Sequence, residues 1–418
     1  MATNRLLISV LAVLAIASVG GSTHDPQQLE GKQPRQKASA KPTVRASFPR
    51  ESYRPGDSAR LIVAARATGV EIQIFHAGVE NASILANDLM LGRPMAKPTL
   101  LARTRAGQVV RLSIGDWPSG LYFARLTADR GRVGYAPFVV RPRRLGENRV
   151  AVVLPTQTWQ AYNFSDDDGD GDDDTWYAGG STARTGRPFE NRGVPTHYKR
   201  YDQPFLRWLA TTGREVDYLA QADLNQLRGG NALAAAYDLI VFPGHHEYVT
   251  EREYDAVEKF RDSGGNLAFL SANNFFWKVT RRGDLMTRVK QWRELGRPES
   301  ALIGVQYFAN DNGSHRRPWV VQSAHAANGL FASAGLAKGE GLGVAGIEVD
   351  GLTQHSPRSV KVLAEVAWRR GKTAHMTYYE TPRGSKVFAA GAFTIAGQAM
   401  DPELAPFLRE LWSRLARP

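Results

Sequence analysis

The feature that most constrains this chain is a change of rhythm at Arg141-Pro-Arg-Arg144. Before it, apolar and polar residues alternate in short, turn-punctuated runs. After it, short continuous apolar runs alternate with longer amphipathic stretches. The first pattern buries itself as half-covered strands packed face to face, the second as a sheet flanked by helices. Periodicity therefore predicts an α/β fold: a mostly parallel sheet over 144–418, preceded by a small β-sandwich over 43–143.

In the first part, strands are expected at 60–67, 70–75, 109–114, 121–128 and 135–140. Turn signals separate them at Pro55-Gly56-Asp57, Pro118-Ser119-Gly120 and Asp129-Arg130-Gly131. The size is that of an immunoglobulin-like sandwich, without its cysteine pair. Nothing in it looks catalytic, and a buttressing role is the simpler reading. In the second part, 149–154, 215–219, 239–242 and 267–270 read as strands. The segment 203–212 reads as a helix with Phe205, Leu206 and Leu209 on one face. Thr250-Glu-Arg-Glu253 fits a capping box, and Gly264-Gly265 stops the helix it opens. A strand at 386–390 and a helix after Pro402 complete the expected set.

Residues 1–22 have the build of a signal peptide: Arg5, then an apolar core from Leu6 to Ala17, then small residues. An apolar core of ~12 residues falls short of the ~20 that span a bilayer. The expectation is a secreted or cell-envelope protein with no membrane span in the mature chain. Residues 23–42 read as a flexible, basic linker. The absence of cysteine excludes disulfides, a thiolate nucleophile and Cys-ligated zinc. A formal charge of +12 is spread along the chain with no nucleic-acid-binding signature, so a basic solvated surface is expected and no nucleic-acid partner.

In an open parallel sheet, ligands bind beyond the carboxyl ends of the strands. After the first strand comes Tyr162-Asn163, after the third His245-His246-Glu247-Tyr248, and after the fourth Asn273-Asn274. Tyr201-Asp202 sits just before the first long helix. Each residue alone has a structural explanation, as a core aromatic, a helix-facing carboxylate or a turn residue. Their convergence on one rim points to a site. His-x-Glu supplies imidazole and carboxylate close together, for metal binding or acid–base work. The string is not a HExxH zinc motif, and a G-x-S-x-G elbow is absent. Tyrosine becomes a ligand only where a highly charged ion displaces its proton.

The strings TWQAYN (158–163), YDQPFL (201–206), YDLIVFPGHHEY (237–248), GGNLAFLSANNFFW (264–277), WRELGRPESALIGVQY (292–307) and GIEVD (346–350) carry a resemblance. Over roughly 145–400 the chain resembles the C-terminal catalytic domain of the N,N-dimethylformamidase large subunit. DWPSGLYFARL (116–126) and APFVVRP (136–142) resemble the β-domain before it. The resemblance implies a flavodoxin-like, glutamine-amidotransferase-like sheet and amide hydrolysis at one ferric iron, Fe(III). It implies Tyr162, Tyr201 and Glu247 as iron ligands. His245, Asn273 and Glu348 would be the catalytic residues, and the substrate a small amide-like molecule. Tyr198, Tyr218 and Tyr248 compete for the tyrosine positions, and Glu380 for that of Glu348.

A second metal signal follows Ser165. Asp166, Asp168, Asp170 and Gly171 match positions 1, 3, 5 and 6 of a calcium loop. Tyr177 stands at position 12, where a bidentate Glu is expected. A Ca2+ site over Asp166, Asp168 and Asp170, closed by Asp172 or Asp174, and a solvated acidic loop are equally supported. Two other readings of the whole remain beside the amidohydrolase: a non-catalytic carbohydrate- or peptide-binding protein, and a zinc or calcium hydrolase acting on sugars.

Overall fold

Two sheets face each other in the first part of the chain. Ser58–Val63 pairs antiparallel with Ala46–Ser47 and Gln108–Ser113. Opposite lie Ser52–Tyr53, Arg132–Val140, Gly120–Ala128, Ala67–Ala77 and Gly92–Pro94 in that order, with Thr99–Thr104 added on Ala67–Ala77. Alternation drives this packing: every second residue of Ser58–Val63 is buried, and Leu61 and Val63 meet Ile72, Leu126 and Phe138 in one apolar core. The computed structural model describes residues 43–80, 82–227 and 231–416, so the expected signal peptide (1–22) and linker (23–42) lie outside the described residues.

The second part is built on a nine-stranded sheet. Its parallel half runs Asp217–Ala220, Val150–Leu154, Leu239–Phe242, Asn266–Phe269, Lys386–Ala389 across the sheet. Val150–Leu154 and Leu239–Phe242 are buried at every position, as strands covered on both faces must be. Four further strands, Thr373–Glu380, Lys361–Ala367, Arg317–Val321 and Gly341–Ala345, continue it antiparallel. The sheet is thus half parallel rather than mostly parallel. Lys361–Ala367 and Thr373–Glu380 are joined by a tight return at Arg369–Gly371, whereas the helix Ala326–Ser333 lies between Arg317–Val321 and Gly341–Ala345.

Chain order reverses between Val150–Leu154 and Leu239–Phe242, so their following segments diverge and leave a crevice beyond the carboxyl ends. The capping box forms as expected. The Thr250 hydroxyl accepts from Glu253 N at 3.3 Å and the Glu253 carboxyl from Thr250 N at 2.6 Å, at the start of Glu251–Asp262. Polar contacts tie the sandwich to the crevice: Glu51 pairs with Arg281 (2.7 Å) and accepts from the Thr156 hydroxyl (2.5 Å). Among the described residues, no helix is long and apolar enough to cross a membrane.

Candidate active site

Five segments meet beyond the strand ends. The short helix Thr156–Ala161 follows the first parallel strand and ends on Tyr162. The loop after Leu239–Phe242 carries Gly244, His245, His246 and Glu247. A Cβ at Gly244 would lie 2.4 Å from Asp202 Oδ1, so glycine lets this loop close onto the Tyr201 segment. His246 pins the loop: its ring nitrogens lie 2.9 Å from the Gly244 carbonyl and 3.0 Å from that of Val153. With His246 serving the backbone, its neighbour His245 points into the crevice.

Tyr201 comes from a π-helical turn, Tyr198–Asp202, an irregularity that recurs at functional sites. Glu348 opens the strand Glu348–Gly351, which pairs with Gln306–Asn310, and the Asn310 amide donates to its carboxyl at 3.0 Å. Asn273 follows the fourth parallel strand. Its backbone N–H donates to Asp350 at 2.9 Å, and its side-chain amide is buried with no hydrogen-bond partner among the described residues.

The contacts form a chain. The Tyr162 hydroxyl donates to Glu247 Oε2 at 2.7 Å. His245 Nε2 lies 3.4 Å from that same oxygen and 3.6 Å from Glu348 Oε2. Tyr201 packs edge-on against Phe393 (5.2 Å between centroids), and His245 also packs on Phe393 (4.3 Å). A small cavity is lined by Tyr162, His197, Tyr201, Asp202 and His245, among others. Glu247 and Glu348 are almost fully buried.

Strain collects here. His197, Asn273 and Ile347 adopt left-handed backbone (φ 63°, 51° and 71°). For β-branched Ile347, beside Glu348, that conformation costs on the order of 1–3 kcal/mol and persists only because its surroundings hold it.

Burial sets the electrostatics. It holds the Tyr162 phenol well above its ordinary range, with the Glu247 charge adding to the effect. Tyr201 is raised for the same first reason, burial. Burial also holds the His245 imidazole well below its usual value, with His197 and His246 next in effect. Asp202 is pushed up to about 8 by burial, against the pull of Trp159 Nε1 at 3.1 Å.

The residues expected from sequence therefore meet: Tyr162 with Glu247, His245 with both glutamates, and Tyr201 in the same cavity. Of the competitors, Tyr198, Tyr218 and Glu380 lie elsewhere, and Tyr248 borders the site. Tyr198 feels the charges of Glu80 and Asp202, and Tyr218 bonds Ser119 of the sandwich through its backbone. Tyr248 is buried with its ring 6.3 Å from that of Tyr162 and its hydroxyl on Tyr177, and Glu380 accepts from Tyr378 on the surface. Phe393, Asn310 and His197 are not among the residues the sequence points to, and Asp202 is named there only as the neighbour of Tyr201. Phe393 was findable, because it follows the fifth parallel strand and the strand-end rule applies there too. Asn310 was not, since it reaches Glu348 only through antiparallel pairing.

Phenol and carboxylate oxygens beside an imidazole form a hard donor set, which suits ferric iron better than a soft ion. Tyr162 and Glu247 already meet in one hydrogen bond, so loss of the phenol proton would leave two anionic oxygens side by side. Such a site would need the tyrosines. Among the described residues, the group of three acidic or imidazole side chains with ligand atoms within 4.8 Å of one another lies in the acidic loop, not here.

That group is Asp166, Asp168 and Asp174. Asp170 and Asp172, two of the expected calcium ligands, lie outside it. The carboxyls mostly serve the loop itself: Asp166 accepts from Gly169 N (2.6 Å) and Gly171 N (3.1 Å), and Asp174 from Asp167 N (2.7 Å). Arg45 and Arg187 pair with Asp167 at 2.6 and 3.1 Å.

Comparison with known proteins gives a family and a relative in sequence. A 112-residue stretch is 28% identical to the N,N-dimethylformamidase beta subunit of Paracoccus aminophilus, covering 27% of this chain and 14% of that protein. Two solved structures are far weaker neighbours. The mmIFT52 N-terminal domain has 12% identity over 50% of this chain and 87% of its own, with a TM-score of 0.32. The superoxide reductase (neelaredoxin) of Ignicoccus hospitalis has 15% identity over 24% and 80%, with a TM-score of 0.15. Neither carries an argument. Residues 108–403, well over half of the chain and including every rim residue above, match the family described as N,N-dimethylformamidase beta subunit-like, C-terminal, and the chain belongs to that family.

Proposed function

We propose that this protein is an exported amidohydrolase-like enzyme that cleaves an amide or related C–N bond of a small molecule. In this reading one ferric ion is held by Tyr162, Tyr201 and Glu247. The observation that carries it is the buried chain Tyr162–Glu247–His245–Glu348, within a family whose relative is a formamidase. The export part rests on residues 1–22 alone.

When bound, the ion would supply Lewis acidity, lowering the pKa of water and polarising a carbonyl. The protein's own residues supply the rest. His245, kept neutral by burial, accepts a proton at Nε2 as water attacks the carbonyl carbon. The resulting imidazolium lies between two carboxylates at 3.4 and 3.6 Å, which stabilise it. Asn310 fixes the Glu348 carboxyl from behind. The unpartnered amide of Asn273 donates to the oxyanion, an interaction that needs no reorganisation because Asp350 already holds the backbone. His245 then returns the proton to the leaving amine. Phe393, Ile347, Ala272 and Tyr201 form the apolar wall that keeps other water out.

The test is turnover of small amides, formamides first, by iron-loaded and chelator-treated protein and by Tyr201→Phe. Activity that needs iron and is lost in the variant supports the reading. A Tyr201→Phe protein that keeps both iron and turnover removes that tyrosine from the scheme, and binding of a sugar or peptide without any turnover would favour a non-catalytic protein.

A further inference from the structure

Tyr177, which stands where a calcium loop would carry its closing glutamate, has a different place in the fold. The loop after Tyr162 doubles back on itself: Asp174 N donates to the Ser165 carbonyl (3.3 Å), and the Thr175 hydroxyl to the Ala161 carbonyl (2.5 Å). The next turn, Trp176–Ala178, therefore returns to the crevice. There the Tyr177 ring stacks on Tyr162, with centroids 4.7 Å apart and planes at 26°. Trp176 packs on Tyr248 at 4.8 Å. The Tyr177 hydroxyl shares hydrogen bonds with both Tyr248 and Tyr162.

Counting protons fixes the direction of this chain. A phenol has one O–H to donate, and Tyr162 gives its own to Glu247. With Glu247 ionised, that leaves Tyr177 to donate to the Tyr162 oxygen and Tyr248 to the Tyr177 oxygen. Three phenols point the same way, ending on a buried carboxylate.

We infer that Tyr177 is a positioning residue of the candidate centre, holding the Tyr162 oxygen beside Glu247 by a ring stack and a donated hydrogen bond, with Tyr248 as its own support. The inference rests on the ferric reading above and deepens it. A hydrogen bond to a metal-bound phenolate oxygen lowers that oxygen's donor level, and outer partners of this kind typically contribute about 10- to 100-fold in metal affinity.

The experiment compares iron affinity and the visible absorption band of the full chain in wild type, Tyr177→Phe and Tyr248→Phe. Tyr177→Phe preserves the stack and removes the donor. Iron binding is expected to weaken about 10-fold, with the band moving to lower energy. Tyr248→Phe, which strips support from Tyr177, is expected to move the band the same way by less, and it keeps the test open if the first variant folds poorly. Iron-binding wild type with both variants unchanged in affinity and band would overturn the positioning role while leaving the ferric reading in place. A wild type that binds no iron would overturn both.

Discussion

The protein has two regions rich in metal-ligating side chains, and they differ in what their ligands are doing. In the 166–174 loop the carboxylates are mostly exposed, accept from their own backbone N–H groups, and have Arg45 and Arg187 at their flank. Around Glu247 the groups are buried, the backbone is strained at three places, and an amide stands without a partner among the described residues. Carboxylate density is higher in the loop, yet the cost already carried by the fold is higher at the rim. Buried polar atoms left unsatisfied cost roughly 1–3 kcal/mol each, so they persist where something else compensates them. The difference teaches that the density of acidic residues alone does not single out a candidate centre, whereas burial, backbone strain and an unsatisfied amide gathered on one rim do.

The sharpest way to break this contrast is at Glu247. Glu247→Ala is expected to lose iron and to lower turnover by at least about 100-fold, measured by metal analysis and amide hydrolysis; iron content equal to wild type would erase the distinction between the regions. Asn273→Ala comes next. Turnover should fall by roughly 100-fold with iron retained, and the left-handed backbone should add a stability loss of about 1 kcal/mol in urea unfolding. Unchanged kcat would remove Asn273 as the oxyanion donor.

Buried carboxyls away from the candidate ligands give a smaller, pH-dependent effect. Burial pushes Glu253 up to about 8. The folded state then prefers the neutral acid, so unfolding free energy should fall as pH rises from about 4.3, the free value, towards 8. The slope is at most ~1.4 kcal/mol per pH unit. Glu253→Gln keeps an acceptor for Thr250 N and should flatten that slope; a variant with the wild-type pH profile would contradict it. Smallest is the loop. Asp168→Asn should leave iron and turnover unchanged and alter stability by less than about 0.5 kcal/mol. A melting temperature that rises with millimolar calcium in wild type but not in Asp168→Asn would give the loop a cation of its own and narrow the contrast.

Much of this was legible in the sequence, for physical reasons that vary by region. The runs at 149–154 and 239–242 announce themselves because strands covered on both faces are continuously apolar, and Thr250/Glu253 because a capping box is local. Tyr162, His245, Glu247 and Asn273 followed from one rule about strand ends. The antiparallel strands between 317 and 380 did not, since their pairing depends on contacts distant in sequence and their alternation is broken by bulges at Arg317/Trp319 and Val362/Ala364. For the same reason Asn310 could not be connected to Glu348, nor Tyr177 to Tyr162 across a loop that looks, in one dimension, like an acidic calcium site.

The central claim is that the buried Tyr–Glu–His cluster, and not the acidic loop, is the metal centre. It is tested most directly by iron content and visible absorption of the purified protein beside Glu247→Ala and Asp168→Asn. The account predicts a coloured wild type with about one iron per chain, colour lost in Glu247→Ala and retained in Asp168→Asn. A colourless protein that takes up no iron on reconstitution, or iron that follows Asp168 instead of Glu247, would contradict it.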